Sequence, residues 1–79
     1  MQITYYAGAA DAAGTTAERL EAGDLTSGAL LALLGERDRR LADVLGCCSV
    51  LVDGSPVRDG EQLIPEQARV DILPPFAGG

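Results

Sequence analysis

The sequence predicts a two-layer α+β domain with the element order β-β-α-(α)-β-β-β. Three observations carry this. Period-two apolar alternation marks strands at both ends of the chain, and a leucine-rich stretch of helical spacing lies between them. The pairs Asp53-Gly54 and Asp59-Gly60 then punctuate the second half as reverse turns.

Residues 2–7 read as the first strand, with Ile3, Tyr5 and Ala7 on one face and Gln2, Thr4 and Tyr6 on the other. Both faces carry apolar groups, so this strand is expected near the sheet centre. Gly8 to Thr16 reads as a small-residue loop with a helical turn through Ala9–Ala13. Residues 17–22 read as a second strand anchored by Leu20. Thr26 or Ser27 is a suitable N-cap for the main helix, which carries Leu30, Leu31, Leu33 and Leu34 as a wide apolar face. Gly28 near its start is tolerable, and Gly35 is expected to stop it as a left-handed cap.

Asp38 is positioned to cap a short second helix whose Leu41, Val44 and Leu45 are spaced three and four apart. Arg37, Arg39 and Arg40 cluster near the break and read as a solvated surface in preference to a docking patch. Residues 48–52 read as a strand with Val50 and Val52 on one face. After Asp53-Gly54, Ser55-Pro56-Val57 returns as an edge strand, because proline cannot donate to a ladder. Leu63 and Ile64 are expected to be buried, and Pro65-Glu66 to turn. Arg69 to Leu73 forms the last strand with Val70 and Ile72 inward.

The chain has 79 residues, which fits one domain. A chain this short buries only about 60–65% of its unfolded surface, so its stability margin is small. Burial against a partner would help, which suits a subunit. The net charge is −6, with all six basic residues arginine. That balance argues against nucleic acid, which demands a basic footprint, and suits a partner with a basic docking surface. There is no histidine, so the usual general base near neutral pH is missing. There is no lysine, so the sequence offers no ε-amine as an isopeptide acceptor. A self-contained enzyme is the least favoured class.

Cys47 and Cys48 are adjacent and cannot staple distant segments, so no disulfide framework or metal cluster is implied. The pair reads as small buried hydrophobes in preference to a thioester site or a vicinal disulfide. Two cysteines also fall short of the four thiolates that a ferredoxin-type cluster requires. No apolar run approaches membrane-spanning length, and Met1-Gln2-Ile3-Thr4 lacks a basic leader. A cytoplasmic protein without a membrane association is expected.

The sequence closes on Leu73-Pro74-Pro75-Phe76-Ala77-Gly78-Gly79. Glycine has no Cβ, so Gly78 and Gly79 would make a thin thread able to enter a narrow active site. If Pro74 to Gly79 is extended, it reaches roughly 20 Å at ~3.3–3.6 Å per residue. The prolines stiffen its base by fixing φ. The expected organisation is therefore a domain over residues 1–73 and a tail over 74–79, with the Gly79 carboxylate as the reactive group.

Over its whole length the chain resembles the MoaD/ThiS-type ubiquitin-like sulfur carriers. Within them it looks most like the small subunit of molybdopterin synthase. The residues that carry the resemblance are Ile3–Ala7, the Ser49-Val50-Leu51-Val52-Asp53-Gly54 hairpin, the Arg58-Asp59-Gly60-Glu61 turn, and Val70-Asp71-Ile72-Leu73-Pro74-Pro75 leading into Gly78-Gly79. Asp53 stands where asparagine is common, and the stretch Ile64–Gln67 is slightly longer than usual.

The resemblance implies a β-grasp fold, a mixed sheet packed on one main helix plus a short second helix. It also implies a mechanism. A MoeB-type enzyme would spend MgATP to adenylate Gly79, and a sulfur donor protein would convert the adenylate to a thiocarboxylate. The large synthase subunit, of MoaE type, would then take in the tail. Gly78 and Ala77 would keep the thread narrow, while Phe76, Pro75 and Pro74 would guide it. No cofactor or metal is expected on the chain itself.

If Ile3, Tyr5, Val50, Val52, Val70 and Ile72 face the helix, then Thr4, Tyr6, Leu51 and Leu73 face outward. Periodicity alone leaves Tyr6, Leu51 and Leu73 open between a minor second core and an exposed docking patch. The resemblance favours docking. Two other readings remain: a sulfur carrier for another pathway (thiamin thiazole, cysteine or natural-product synthesis), and a binding module or protein modifier without sulfur chemistry.

Overall fold

The computed structural model describes residues 1–75. The first and last described strands lie side by side at its centre. β1 (Gln2–Tyr5) runs parallel to β7 (Arg69–Leu73), pairing Ile3 with Val70 and Tyr5 with Ile72. β2 (Ala17–Arg19) flanks β1, and β4 (Ser49–Val52) flanks β7, both antiparallel. β5 (Ser55–Pro56) closes the other edge, giving the order β2-β1-β7-β4-β5. The prolyl strand is thus on an edge, as its missing N–H requires.

Three helices accompany this mixed sheet: α1 (Gly8–Ala13), α2 (Ser27–Gly35) and α3 (Arg39–Leu45). Alternation along the central strands puts Ile3, Tyr5, Val50, Val52, Val70 and Ile72 inward, and all six are buried. They meet Leu30 and Leu34 of α2, Leu41 and Leu45 of α3, and Ala9 and Ala12 of α1. Each large aliphatic side chain so buried contributes about 1.5–3 kcal/mol.

The helix boundaries follow local chemistry. The Thr26 hydroxyl accepts from the Ala29 N–H at 3.1 Å, and the Asp38 carboxylate accepts from the Arg40 N–H at 2.7 Å. Both are N-caps at the expected sites. Between β4 and β5, Asp53 and Gly54 take φ of 50° and 86°, the left-handed pair that a two-residue hairpin uses.

Four expectations need correction. The first strand ends at Tyr5: Ala7, at φ 50°, leaves the sheet and caps α1. Gly35 does not end α2 through a left-handed turn, since the C-cap is Glu36 in right-handed geometry. A Cβ at Gly35 would lie 3.2 Å from the Ala42 Cβ, so glycine there lets α2 approach α3. Leu63 is 62% exposed whereas Ile64 is fully buried. Both belong to β6 (Leu63–Ile64), which pairs with β3 (Leu25–Thr26) in a small second sheet, and a strand shows only alternate residues to the core. That second sheet is the fourth departure, because its two-residue strands are too short to register as alternation.

The small sheet fixes the start of α2 against the following loop. The Ser27 N–H donates to the Gln62 carbonyl at 2.8 Å, the Gly28 N–H to the Gly60 carbonyl at 2.9 Å, and the Ser27 hydroxyl to the Asp59 carbonyl at 2.6 Å. A Cβ at Gly28 would sit 3.0 Å from that Gly60 oxygen. Gly28→Ala is therefore expected to cost about 1–2 kcal/mol in urea unfolding despite the better helix propensity of alanine. Gly23→Ala, which meets nothing within 4 Å, should leave the midpoint nearly unchanged.

One partly buried polar link ties β1 to β2 and to Arg37 just beyond α2. The Tyr5 hydroxyl donates to Glu18 Oε2 at 2.8 Å, and Arg37 pairs with the other Glu18 oxygen. Burial, and then the hydrogen bond to the Glu18 carboxylate, raise the Tyr5 pKa well above the ordinary tyrosine value of about 10. The unfolded chain releases that proton near 10 while the native state holds it. This contribution to stability is thus complete below pH ~10 and is lost as pH climbs toward the native value. Alkaline unfolding of the wild type should steepen beyond pH ~10, and Tyr5→Phe should remove that part of the slope.

Candidate functional site

β7 delivers the chain from the middle of the sheet to Pro74 and Pro75. The Tyr6 N–H donates to the Ile72 carbonyl at 3.1 Å, which extends the parallel ladder one step and sets Tyr6 beside Leu73. Pro74 is half-buried and Pro75 exposed. They line an apolar notch of about 350 Å³ together with Gly8, Asp43, Val44 and Cys47. The chain therefore leaves the sheet beside a notch bordered by the head of α1 and the end of α3. The expectations for Phe76, Ala77, Gly78 and Gly79 lie outside the described residues.

On the outer face of the sheet, ladder register places the remaining site residues. Leu51 faces Asp71, Asp71 faces Thr4, and Leu73 faces Ser49. Leu51 and Leu73 are thus diagonal neighbours, about 7–8 Å apart. Both are half-buried, and Tyr6 is 41% exposed. The structure brings Tyr6, Leu51 and Leu73 onto one surface around the root of the tail. Asp71, at 7% exposure, shares this face. Alternation from Val70 and Ile72 already marks Asp71 as outward. The missed signal is its central position, where flanking strands bury even an outward side chain.

A ThiS family model matches residues 3–79. The chain belongs to the ThiS family. Among solved structures, it is 25% identical to the small archaeal modifier protein 1 of Haloferax volcanii, covering all of this chain and 98% of that one, with a TM-score of 0.80. The small archaeal modifier protein 1 of Methanosarcina acetivorans is 23% identical over 99% of this chain and 94% of that one, with a TM-score of 0.78. A chain in the complex of subunits 1 and 2 of molybdopterin-converting factor from Helicobacter pylori is 17% identical, covering 99% and 96%, with a TM-score of 0.71. No curated protein matches the chain. The ubiquitin-like β-grasp fold and the MoaD/ThiS-type family read from the sequence are thereby established.

In this ThiS-family chain the two cysteines differ, and the expectation that both are buried is corrected at Cys47. Cys47 is exposed in the notch wall, whereas Cys48 is half-buried and its thiol donates to the Val44 carbonyl at 3.2 Å. Burial pushes the Cys48 thiol pKa up, so less of it is present as the reactive thiolate. Limited alkylation at mildly alkaline pH, read by peptide fragmentation, should label Cys47 ahead of Cys48. Equal labelling would show that the Val44 contact opens readily. Among the described residues no three side chains of histidine, cysteine, aspartate or glutamate converge on a common point. No described helix is long and apolar enough to cross a membrane.

Proposed function

We propose that the chain is the sulfur carrier of a molybdopterin synthase. The observation that carries the sulfur-carrier part of this reading is the ThiS family match, which runs through Gly78 and Gly79. The place of Pro74 and Pro75 at the end of the central strand supports it, because prolines restrict the backbone at the point where a reactive terminus would leave the domain. The fold shared with a chain from a complex of two molybdopterin-converting subunits supports a large-subunit partner.

The chemistry follows from the weakness of a carboxylate as an electrophile. A MoeB-type enzyme uses MgATP to join the Gly79 carboxylate to AMP, with pyrophosphate leaving. Sulfur from a donor protein displaces AMP, either as sulfide or as a persulfide whose acyl disulfide a second thiol then reduces with formation of a protein disulfide, and leaves a thiocarboxylate. In the large subunit that sulfur attacks the cyclic pyranopterin monophosphate precursor. Water then frees Gly79 as a carboxylate, and a second loaded carrier completes the dithiolene. Holding the sulfur on a docked protein raises its effective concentration and prevents loss as sulfide. The partners supply acids, bases and nucleotide, and the chain itself holds no cofactor. Tyr6, Leu51 and Leu73 form the docking patch, and the setting is cytoplasmic.

A second reading has its own support. The full-length likeness to the small archaeal modifier protein 1 favours a protein modifier joined through Gly79 to lysines of other proteins. Reconstitution with a large synthase subunit, the pyranopterin precursor and thiocarboxylated chain separates the two. Dithiolene formation stoichiometric in carrier supports the first reading. Its absence, together with isopeptide conjugates in cell extracts, would favour the second. Failure with this precursor but transfer in a thiazole-forming system would move the chain to another sulfur pathway.

A further inference from the structure

We infer that Asp71 is the recognition point for a cationic side chain of the docking partner, an arginine framed by apolar groups. Asp71 lies on the central strand and is the one buried carboxylate among the described residues. Across the ladders it faces Thr4 on one side and Leu51 on the other, with Leu73 two residues along. Pro56 pairs with Leu51 one strand further out. Its carboxylate makes no hydrogen bond or ion pair among the described residues. Arg69, two residues earlier on the same face, uses its backbone N–H for Asp53 and forms no ion pair with Asp71.

Among the described residues no side-chain polar atom is both sealed from solvent and unpaired. The Asp71 carboxylate, on a residue only 7% exposed, therefore keeps an opening to water on this face. An apolar side chain in its place would serve the sheet better, since a charge so placed loses solvation and gains no partner. Any protein covering the patch of Tyr6, Leu51 and Leu73 would close the opening and remove the remaining water. That docking is favourable only if the partner brings donors to the carboxylate. Guanidinium suits the site because its planar fork bonds a carboxylate twice and is weakly hydrated. The net charge of −6 adds attraction toward such a partner.

The identity of that partner, the large synthase subunit, rests on the sulfur-carrier reading above. Purified large subunit is the probe, with binding of wild type, Asp71→Asn and Asp71→Leu measured by calorimetry at low and high salt. Both variants should bind at least about tenfold more weakly, with a flatter salt dependence. Their Tm should equal or exceed that of the wild type, because a buried charge has been removed. Wild-type affinity and salt slope in both variants would overturn the inference. So would weaker binding accompanied by a fall in Tm, which would mark Asp71 as structural. Sulfur loading of the wild type is followed in parallel. If the wild type loads and binds while the variants bind equally well, only this inference fails. If the wild type neither loads nor binds, the sulfur-carrier reading and this inference fall together.

Discussion

Deleting Gly78 and Gly79 is expected to abolish sulfur loading and dithiolene formation in the reconstituted synthase while leaving the thermal transition in place. On the sulfur-carrier proposal, the reaction requires a carboxylate at the end of a thread narrow enough for two active sites, those of the adenylating enzyme and the large subunit. Removing both glycines would leave Ala77 as the terminus, shorter by about 7 Å. The described core runs from Met1 to Ile72, and its buried side chains carry the stability expected of the truncated chain. A modifier conjugated through Gly79 would lose conjugation by the same deletion. A module that uses only its surface would keep its function, and retention of function by the truncated chain would exclude both carrier readings.

Ile72→Ala is expected to destabilise the domain by about 2–5 kcal/mol. Ile72 is fully buried in the central strand, opposite Tyr5 on one side and Val50 on the other. A cavity there faces side chains from two strands as well as the helices, with little room for collapse. Small domains start from a stability near the lower end of about 5–15 kcal/mol, so much of the chain could be unfolded at physiological temperature. Each kcal/mol corresponds to roughly 4–8 °C in Tm for a domain of this size. Sulfur loading should fall with the folded fraction, because Ile72 immediately precedes Leu73 and Pro74. Leu63→Ala, at a largely exposed position, should change stability by no more than about 0.5 kcal/mol. Comparable losses at both positions would contradict the assignment of the core.

The central strands were legible because alternation is a strong signal when three strands share one buried face. The six residues assigned inward from pattern alone are all buried. Caps were legible for a similar reason, since Thr26 and Asp38 are the side chains able to accept from the first helical turns. What escaped the sequence depended on distant partners. Gly35 reads locally as a helix stop, yet its role is to admit Ala42 of the neighbouring helix. Leu63 reads as apolar and hence buried, but its exposure is set by the pairing of β6 with β3. Parallel pairing of β1 with β7 leaves no local trace, because it joins segments at opposite ends of the described chain.

The candidate site divides along the same line. Tyr6, Leu51 and Leu73 follow from alternation, and register confirms that they share a face. The notch around Pro74 and Pro75 does not, because Gly8 of α1, Asp43 and Val44 of α3, and Cys47 just after α3 are brought together by packing. Asp71 was visible as outward but not as buried, since burial at the middle of a sheet depends on strand order.

The most direct test is the intact mass of the chain after incubation with a MoeB-type activating enzyme, MgATP and a sulfur donor. A gain equal to the exchange of one oxygen for sulfur, dependent on ATP and absent from the chain lacking Gly79, is the expected result. No gain, with an activating enzyme shown competent on a known carrier, would contradict the sulfur-carrier function.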